Sequence, residues 1–232
     1  SGVAEAPAPF VGHGDRWELP SAIGVDQLAA SSRRAGAPCV ALAPVGLDEA
    51  GWEVLVALEA VGVLAIEAAA DVADDVVRAI AVGLASSEFA EIAHLITVDL
   101  DAAAVLEHHN AAAADDVDAA VELAATLVGS ESGDGASTFV RRARQTGGEL
   151  WEPAVVLVGS ADAAALSDDV IEAATGGHRL AVVVAGACPR ANWKLVAPTE
   201  PTPTDGSSSA MWELAPLGVQ MRPVGIDREQ LD

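Results

Sequence analysis

The stretch "EAAADVAD", Glu67 to Asp74, follows a buried apolar run and leads into a helical pattern. Strand, turn and helix in that order make the junction at which many folds hold a phosphate. In the motif G-x-x-x-x-G-K-[ST], glycines let backbone N–H groups turn inward, the lysine meets the β and γ phosphates, and the hydroxyl holds magnesium. Laid on this chain, the first glycine becomes Glu67, the second Val72, the lysine Ala73 and the Ser/Thr Asp74. None of the required residues is present. The charge also opposes a nucleotide, because each phosphate–carboxylate repulsion at ~4 to 6 Å is worth about 3 to 4 kcal/mol before screening. Magnesium would offset part of that repulsion without restoring the backbone donors. The acids have a use of their own. Asp71 is predicted to be the N-cap, with Asp74 and Asp75 in the first turn, where carboxylates complement the helix dipole and replace an external anion. Metal binding by the Asp cluster is the competing use.

Other residues able to do chemistry are scattered. A nucleotide-hydrolysing fold ends a second buried strand in acids that hold magnesium and water, whereas "PAVVLVGSAD" ends in Gly159 and Ser160, with Asp162 too late. Asp99 and Asp101 follow another strand, where paired acids commonly cap helices. In "LEHHN", His108 and His109 are adjacent, and adjacent histidines on a helix point apart, which disfavours a shared metal. Arg141, Arg142 and Arg144 form the local basic patch, which reads as a solvated face or salt-bridge partner. Cys39 and Cys188 match no metal spacing and read as two isolated thiols or a structural pair. Lys194 is the only lysine, so any lysine chemistry has one candidate. No Ser/His/Asp or Cys/His arrangement emerges, and no cofactor or metal site is expected.

The elements that must position these residues come from the wider pattern. The chain has 232 residues, 51% of them hydrophobic, enough for a core on two sides of a sheet. A formal charge of -23 excludes non-specific binding to nucleic acid or an anionic membrane, which need a basic face. Two readings of the charge remain: solubility, or an acidic docking surface for a basic partner. The longest apolar run, residues 54 to 66, is broken by Glu59 and is shorter than the roughly 20 residues of a spanning helix. The chain begins Ser1-Gly2 without Met, which reads as a cleaved tag or an excised fragment.

Residues 1–16, rich in Pro, Gly and Ala, are predicted to be a flexible lead-in, and 17–232 a single domain. A short helix is expected over Val25 to Arg34, then strands in "PCVALAPVGL", Glu53 to Leu58 and Val61 to Ile66. Val72, Val76, Ile80 and Leu84 recur at helical spacing, predicting a helix over residues 72–85. "AHLITVDLD", "PAVVLVGS" and "LAVVVAGAC" read as strands buried on both faces. Ala-rich stretches cover 101–108 and 115–128, and helices are expected over Thr138 to Thr146 and Ser167 to Thr175. Strands alternating with helices imply a mostly parallel α/β sheet covered on both faces. Residues 192–232 read as an antiparallel edge hairpin, with 198–210 a disordered connector.

The order "WELPSAIGVDQL", "VALAPVGLDEAG", "WEVLVALEAVGVLAI", "VVRAIAVGLASS", "AHLITVDLD" resembles the FtsK/SpoIIIE-type motor ATPases, and most nearly the EccC-like modules of type VII secretion. "PAVVLVGS", "GHRLAVVVAGACPRANWKL" and "PLGVQMRP" fit the Walker B strand, the sensor strand and the closing hairpin of that family. The resemblance spans roughly residues 17 to 225 and implies a RecA-like, P-loop-NTPase-like fold. The departures at Glu67, Asp71, Val72, Ala73 and Asp74, and at Gly159 and Ser160, imply a degenerate site and a non-catalytic pseudo-ATPase. Modules of this kind resemble those of large actinobacterial membrane-anchored proteins with LysM and BTAD domains. That resemblance implies a cytoplasmic, soluble part of a longer protein whose partners are proteins or its own neighbouring domains. Two other functions are consistent with the resemblance: a motor-type ATPase subunit completed by a partner, and a small-molecule-sensing domain of a transcriptional regulator.

Overall fold

The computed structural model describes residues 11–13, 16–18, 20–24, 39–87, 92–102, 107–128, 138, 141, 152–175, 179–198 and 210–227. The chain divides into two compact units, Ser1–Ala37 and Pro38–Asp232. In the first, β1 (Val11–His13) pairs antiparallel with β2 (Arg16–Glu18). A hairpin therefore begins inside the stretch that composition marks as a lead-in, and the units divide later than residue 16. The helices expected over residues 25–34 and 138–146 lie outside the described residues, apart from Thr138 and Arg141.

The second unit is built on a ten-stranded sheet. Its strands are β3 (Leu42–Asp48), β4 (Glu53–Ala57), β5 (Val63–Glu67), β6 (His94–Val98), β7 (Ala111–Ala114), β8 (Ala154–Val158), β9 (Leu180–Ala185), β10 (Trp193–Val196), β11 (Trp212–Ala215) and β12 (Val219–Pro223). Between them lie α1 (Leu58–Val61), α2 (Ala70–Ala85), α3 (Val117–Val128) and α4 (Asp168–Thr175). The spatial order is β4-β3-β12-β11-β10-β5-β9-β8-β6-β7. From β10 to β7 every pairing is parallel; from β10 back to β4 every pairing is antiparallel. The C-terminal strands thus extend the parallel block antiparallel, and the β3–β4 hairpin carries that extension on to the end of the sheet.

Alternation along each central strand splits the core in two. Leu64, Ile66, Leu157 and Val183 face α2, whose Val76, Val77, Ile80 and Leu84 form one buried stripe. Val63, Ala65, Val156 and Val182 face the opposite way, against Val117 and Ala120 of α3 and Val170 and Ile171 of α4. Burial on both faces explains why β8 and β9 are unbroken runs of Ala, Val and Leu. α2 also runs close to β3, since a Cβ at Gly83 would stand 2.5 Å from the Pro44 ring. The helix gives up the propensity of a larger residue there to gain that approach.

One strand lies in a stretch for which the sequence carried no expectation, and one local expectation changes. β7 is four alanines, a helix-favouring composition that nonetheless pairs in parallel with β6 at the end of the sheet. The histidines of "LEHHN" lie in a turn, and their ring centroids are 4.6 Å apart at a 30° tilt. Without a helix to splay them, His108 and His109 stack. Nδ1 of His108 accepts a hydrogen bond from the Asn110 N–H at 3.3 Å.

Candidate functional site

The junction of β5 and α2 lies at the carboxyl end of the parallel strands, in the middle of the sheet. Only β9 separates β5 from β8, so the ends of β5 and β8 and the start of α2 converge. Glu67, Asp71, Val72, Ala73, Asp74, Gly159 and Ser160 all belong to this locus. A phosphate loop and an acid-bearing strand end would have to meet here, and the residues present make other contacts.

The predicted capping is corrected. α2 begins at Ala70, its N-cap is Ala69, and no side chain caps it. Asp71 therefore lies inside the first turn, exposed, where its charge complements the helix dipole without accepting the cap hydrogen bond. Asp74 and Asp75 fall one turn further on. Asp75 binds Arg78, and Arg78 donates to the Ile226 carbonyl at 3.0 Å. The Ile226 N–H donates to the Asp75 carbonyl at 3.0 Å, so this pair straps the C-terminal segment onto α2.

Asp74 turns toward the sheet. One carboxylate oxygen accepts the Ser160 N–H at 2.8 Å, and the other accepts the Ser160 hydroxyl at 2.8 Å. The contact exchanges the usual chemistry of the two positions. Where a phosphate loop carries its hydroxyl, this chain has a carboxylate, and the end of the opposing strand supplies the hydroxyl. The two groups satisfy each other in a bidentate, charge-assisted contact. Ala73, at the lysine position, is fully buried against the core, and Val72 is 40% exposed.

Gly159 is held still more tightly. A Cβ built on it would stand 2.0 Å from the Asp99 carbonyl oxygen and 2.8 Å from its carbon. The Gly159 N–H donates to the Val98 carbonyl at 2.8 Å, and Asp99 sits in the left-handed region with φ 46. Asp99 thus turns its backbone across the place where an acidic side chain would begin. The position lacks an acid and also lacks room for any side chain.

The sole lysine has a partner that sequence pattern did not announce. Lys194 Nζ donates to Glu67 Oε1 at 2.8 Å across the parallel pair β5–β10. About a quarter of each side chain is exposed, 28% and 26%. The pair removes the charge of Glu67 from the count of acids that would repel a phosphate and leaves Asp71 as the exposed carboxylate of the first turn. Lys194→Ala is expected to cost about 1 kcal/mol in urea unfolding, the upper end for a surface pair because this one is three-quarters covered, and less at high salt.

Among the described residues, no group of three or more His, Cys, Asp or Glu is placed to hold a metal ion. Cys39 and Cys188 are not joined in a disulfide. Beyond the carboxyl end of β9, Arg190 pairs with Asp168, whose hydrogen bond and charge raise the guanidinium pKa above its usual value.

No family model matches the chain, and no curated protein matches it either. Solved structures do. The cytoplasmic domain of the Thermomonospora curvata type VII secretion ATPase EccC superposes with a TM-score of 0.54 at 15% identity, covering 81% of this chain and 26% of that one. ATPases 2 and 3 of the same organism's EccC, in complex with a signal sequence peptide, give 0.52 at 16%, covering 93% and 45%. The pCW3 conjugation coupling protein TcpA, in its monomer form with ATPγS, gives 0.51 at 12%, covering 85% and 69%.

The fold is that of the EccC-type ATPases. The chain spans 26% and 45% of the two EccC chains. The Asp74–Ser160 contact and the closed Gly159 position lie together at the carboxyl ends of the parallel strands, beside the β5–α2 junction.

Proposed function

We propose that the chain is a non-catalytic pseudo-ATPase, an EccC-type module retained as a scaffold or regulatory interaction domain. The observation that carries this reading is the Asp74–Ser160 contact beside the closed Gly159 position. The side chains that would meet magnesium are bound to each other, and the acid that would order water has no place to stand. Ala73 offers no cation to the phosphates. The partners are proteins or neighbouring domains of the same chain. In support, the EccC fold holds a signal sequence peptide in one of the similar structures. The -23 charge argues against a nucleic-acid partner and favours a basic protein surface. A cytoplasmic position, as part of a longer membrane-anchored protein, completes the reading. No helix among the described residues is long and apolar enough to cross a membrane.

Isothermal titration with ATP and GTP, each with magnesium, tests the proposal. The expected result is no binding tighter than about 1 mM, roughly -4 kcal/mol. Micromolar affinity for either nucleotide would sink it. Turnover by the purified protein that survives Asp74→Ala would place an active site elsewhere.

A further inference from the structure

The two ends of the ten-stranded sheet are not alike. β7 ends it with four alanines, a short strand with little to offer a partner. β4 ends it with "EVLVA", a strand-forming run without proline or lysine, the residues that usually blunt an edge. Among the described residues, no strand pairs with the outer side of β4.

Large apolar side chains gather there. Trp52 is 74% exposed, Leu55 46% and Leu47 38%. Glu53 and Leu55 share one face by strand alternation, and Leu47 lies opposite Glu53 in the β3–β4 register. The turn that presents them is held in shape. Asp48 Oδ1 accepts the N–H groups of Ala50 at 2.9 Å and Trp52 at 2.8 Å, and the Asp48 N–H donates to the Trp52 carbonyl at 2.8 Å. The exposed tryptophan therefore sits on a preorganised hairpin, which lowers the ordering cost of docking.

We propose that β4 takes up an extended segment of a basic partner protein as an added strand. Backbone pairing supplies the recognition, and side chains set the sequence. The residue beside Glu53 is Lys or Arg, and the one two along, beside Leu55, is apolar and β-branched. Charge selects the partner. Asp48, Glu49 and Glu53 ring the hairpin on a chain of net charge -23, with Arg222 the one base in register, opposite Leu47. A second copy would bring like charges together along the same edge, so self-pairing is disfavoured. This inference rests on the scaffold reading and names the chemistry of its partner.

The test uses the full chain and a capped eight-residue peptide, Lys-Thr-Val-Thr-Lys-Thr-Val-Thr, which sets lysine and valine two residues apart on one face. Hydrogen exchange of the residue 53–57 amides is expected to slow about tenfold or more with the peptide at about 1 mM. A peptide with glutamate for lysine is expected to leave exchange unchanged. Methylating alternate backbone nitrogens of the lysine peptide removes its donors without touching the protein and is expected to abolish protection. Leu55→Lys, at an exposed position, is expected to weaken binding about tenfold, with unaltered far-ultraviolet circular dichroism. No protection at that concentration, or protection indifferent to N-methylation and to Leu55→Lys, overturns the proposal. Concentration-dependent dimerisation lost in Leu55→Lys would assign the edge to a second copy and overturn it too. Nucleotide titration is independent: ATP binding sinks the scaffold reading without touching the peptide result, and failure of the peptide leaves the nucleotide result standing.

Discussion

Gly159→Asp, which places an acid at the end of β8, is expected to destabilise the protein rather than create a nucleotide site. The first atom of any side chain at this position meets the Asp99 carbonyl oxygen at 2.0 Å. Relief requires moving the β6–β8 connection apart, and that means breaking the bond from the Gly159 N–H to the Val98 carbonyl. Asp99 is itself held in a left-handed conformation, open to Asp but with little freedom to shift. Overpacking of buried sites costs about 1 to 3 kcal/mol, and a rigid backbone neighbour puts this case at the upper end. Aspartate adds a carboxylate beside Asp99. A loss of about 3 kcal/mol or more is expected, against a typical total of about 5 to 15. For a domain of this size that lowers Tm by roughly 6 to 12 °C. Gly159→Ala separates the causes, since it carries the Cβ without the charge and is expected to lose most of the same stability. Wild-type melting for Gly159→Ala would show that the connection yields easily, and the closed-site argument would fall.

Asp74→Ala is expected to be the next most costly change, at about 2 to 3 kcal/mol in urea unfolding. Two hydrogen bonds to an ionised carboxylate are lost, each typically worth about 1.5 to 3 kcal/mol, and partial exposure lets water recover some of this. The Ser160 backbone donor is left without its acceptor, which a hydroxyl deletion at Ser160 does not cause. Ser160→Ala is therefore expected to cost only about 1 kcal/mol. In the double mutant the two losses are expected to fall short of their sum by about 1 kcal/mol, the coupling of residues in direct contact. Strict additivity would show that the hydrogen bond from the Ser160 hydroxyl to Asp74 carries no energy.

Much of the architecture was legible in the residues. α2 was readable because Val76, Ile80 and Leu84 recur every four residues, close to the 3.6-residue turn of the helix itself. β8 and β9 were readable because burial on both faces removes every polar residue from them. Elements whose identity depends on a neighbour were harder. β7 is composed like a helix and is a strand because β6 offers it an edge. The cap of α2 was misplaced by two residues because Asp71 favours capping intrinsically, while the chain leaving β5 enters the helix at Ala70. The stacked histidines were misread because a helix was assumed where the chain makes a turn.

Residue identity alone determined what stands at the strand-to-helix junction: Glu67, Val72, Ala73 and Asp74 fall where a G-x-x-x-x-G-K-[ST] pattern would need glycine, glycine, lysine and a hydroxyl. No packing can supply a side chain that the sequence omits. Only the tertiary structure decided what those residues do instead. Asp74 and Ser160 are 86 residues apart, and the backbone that closes Gly159 belongs to a third element, the turn after β6. Their meeting depends on the order of strands in the sheet. That order is set by long-range pairing, and no local pattern of charge or hydropathy encodes it.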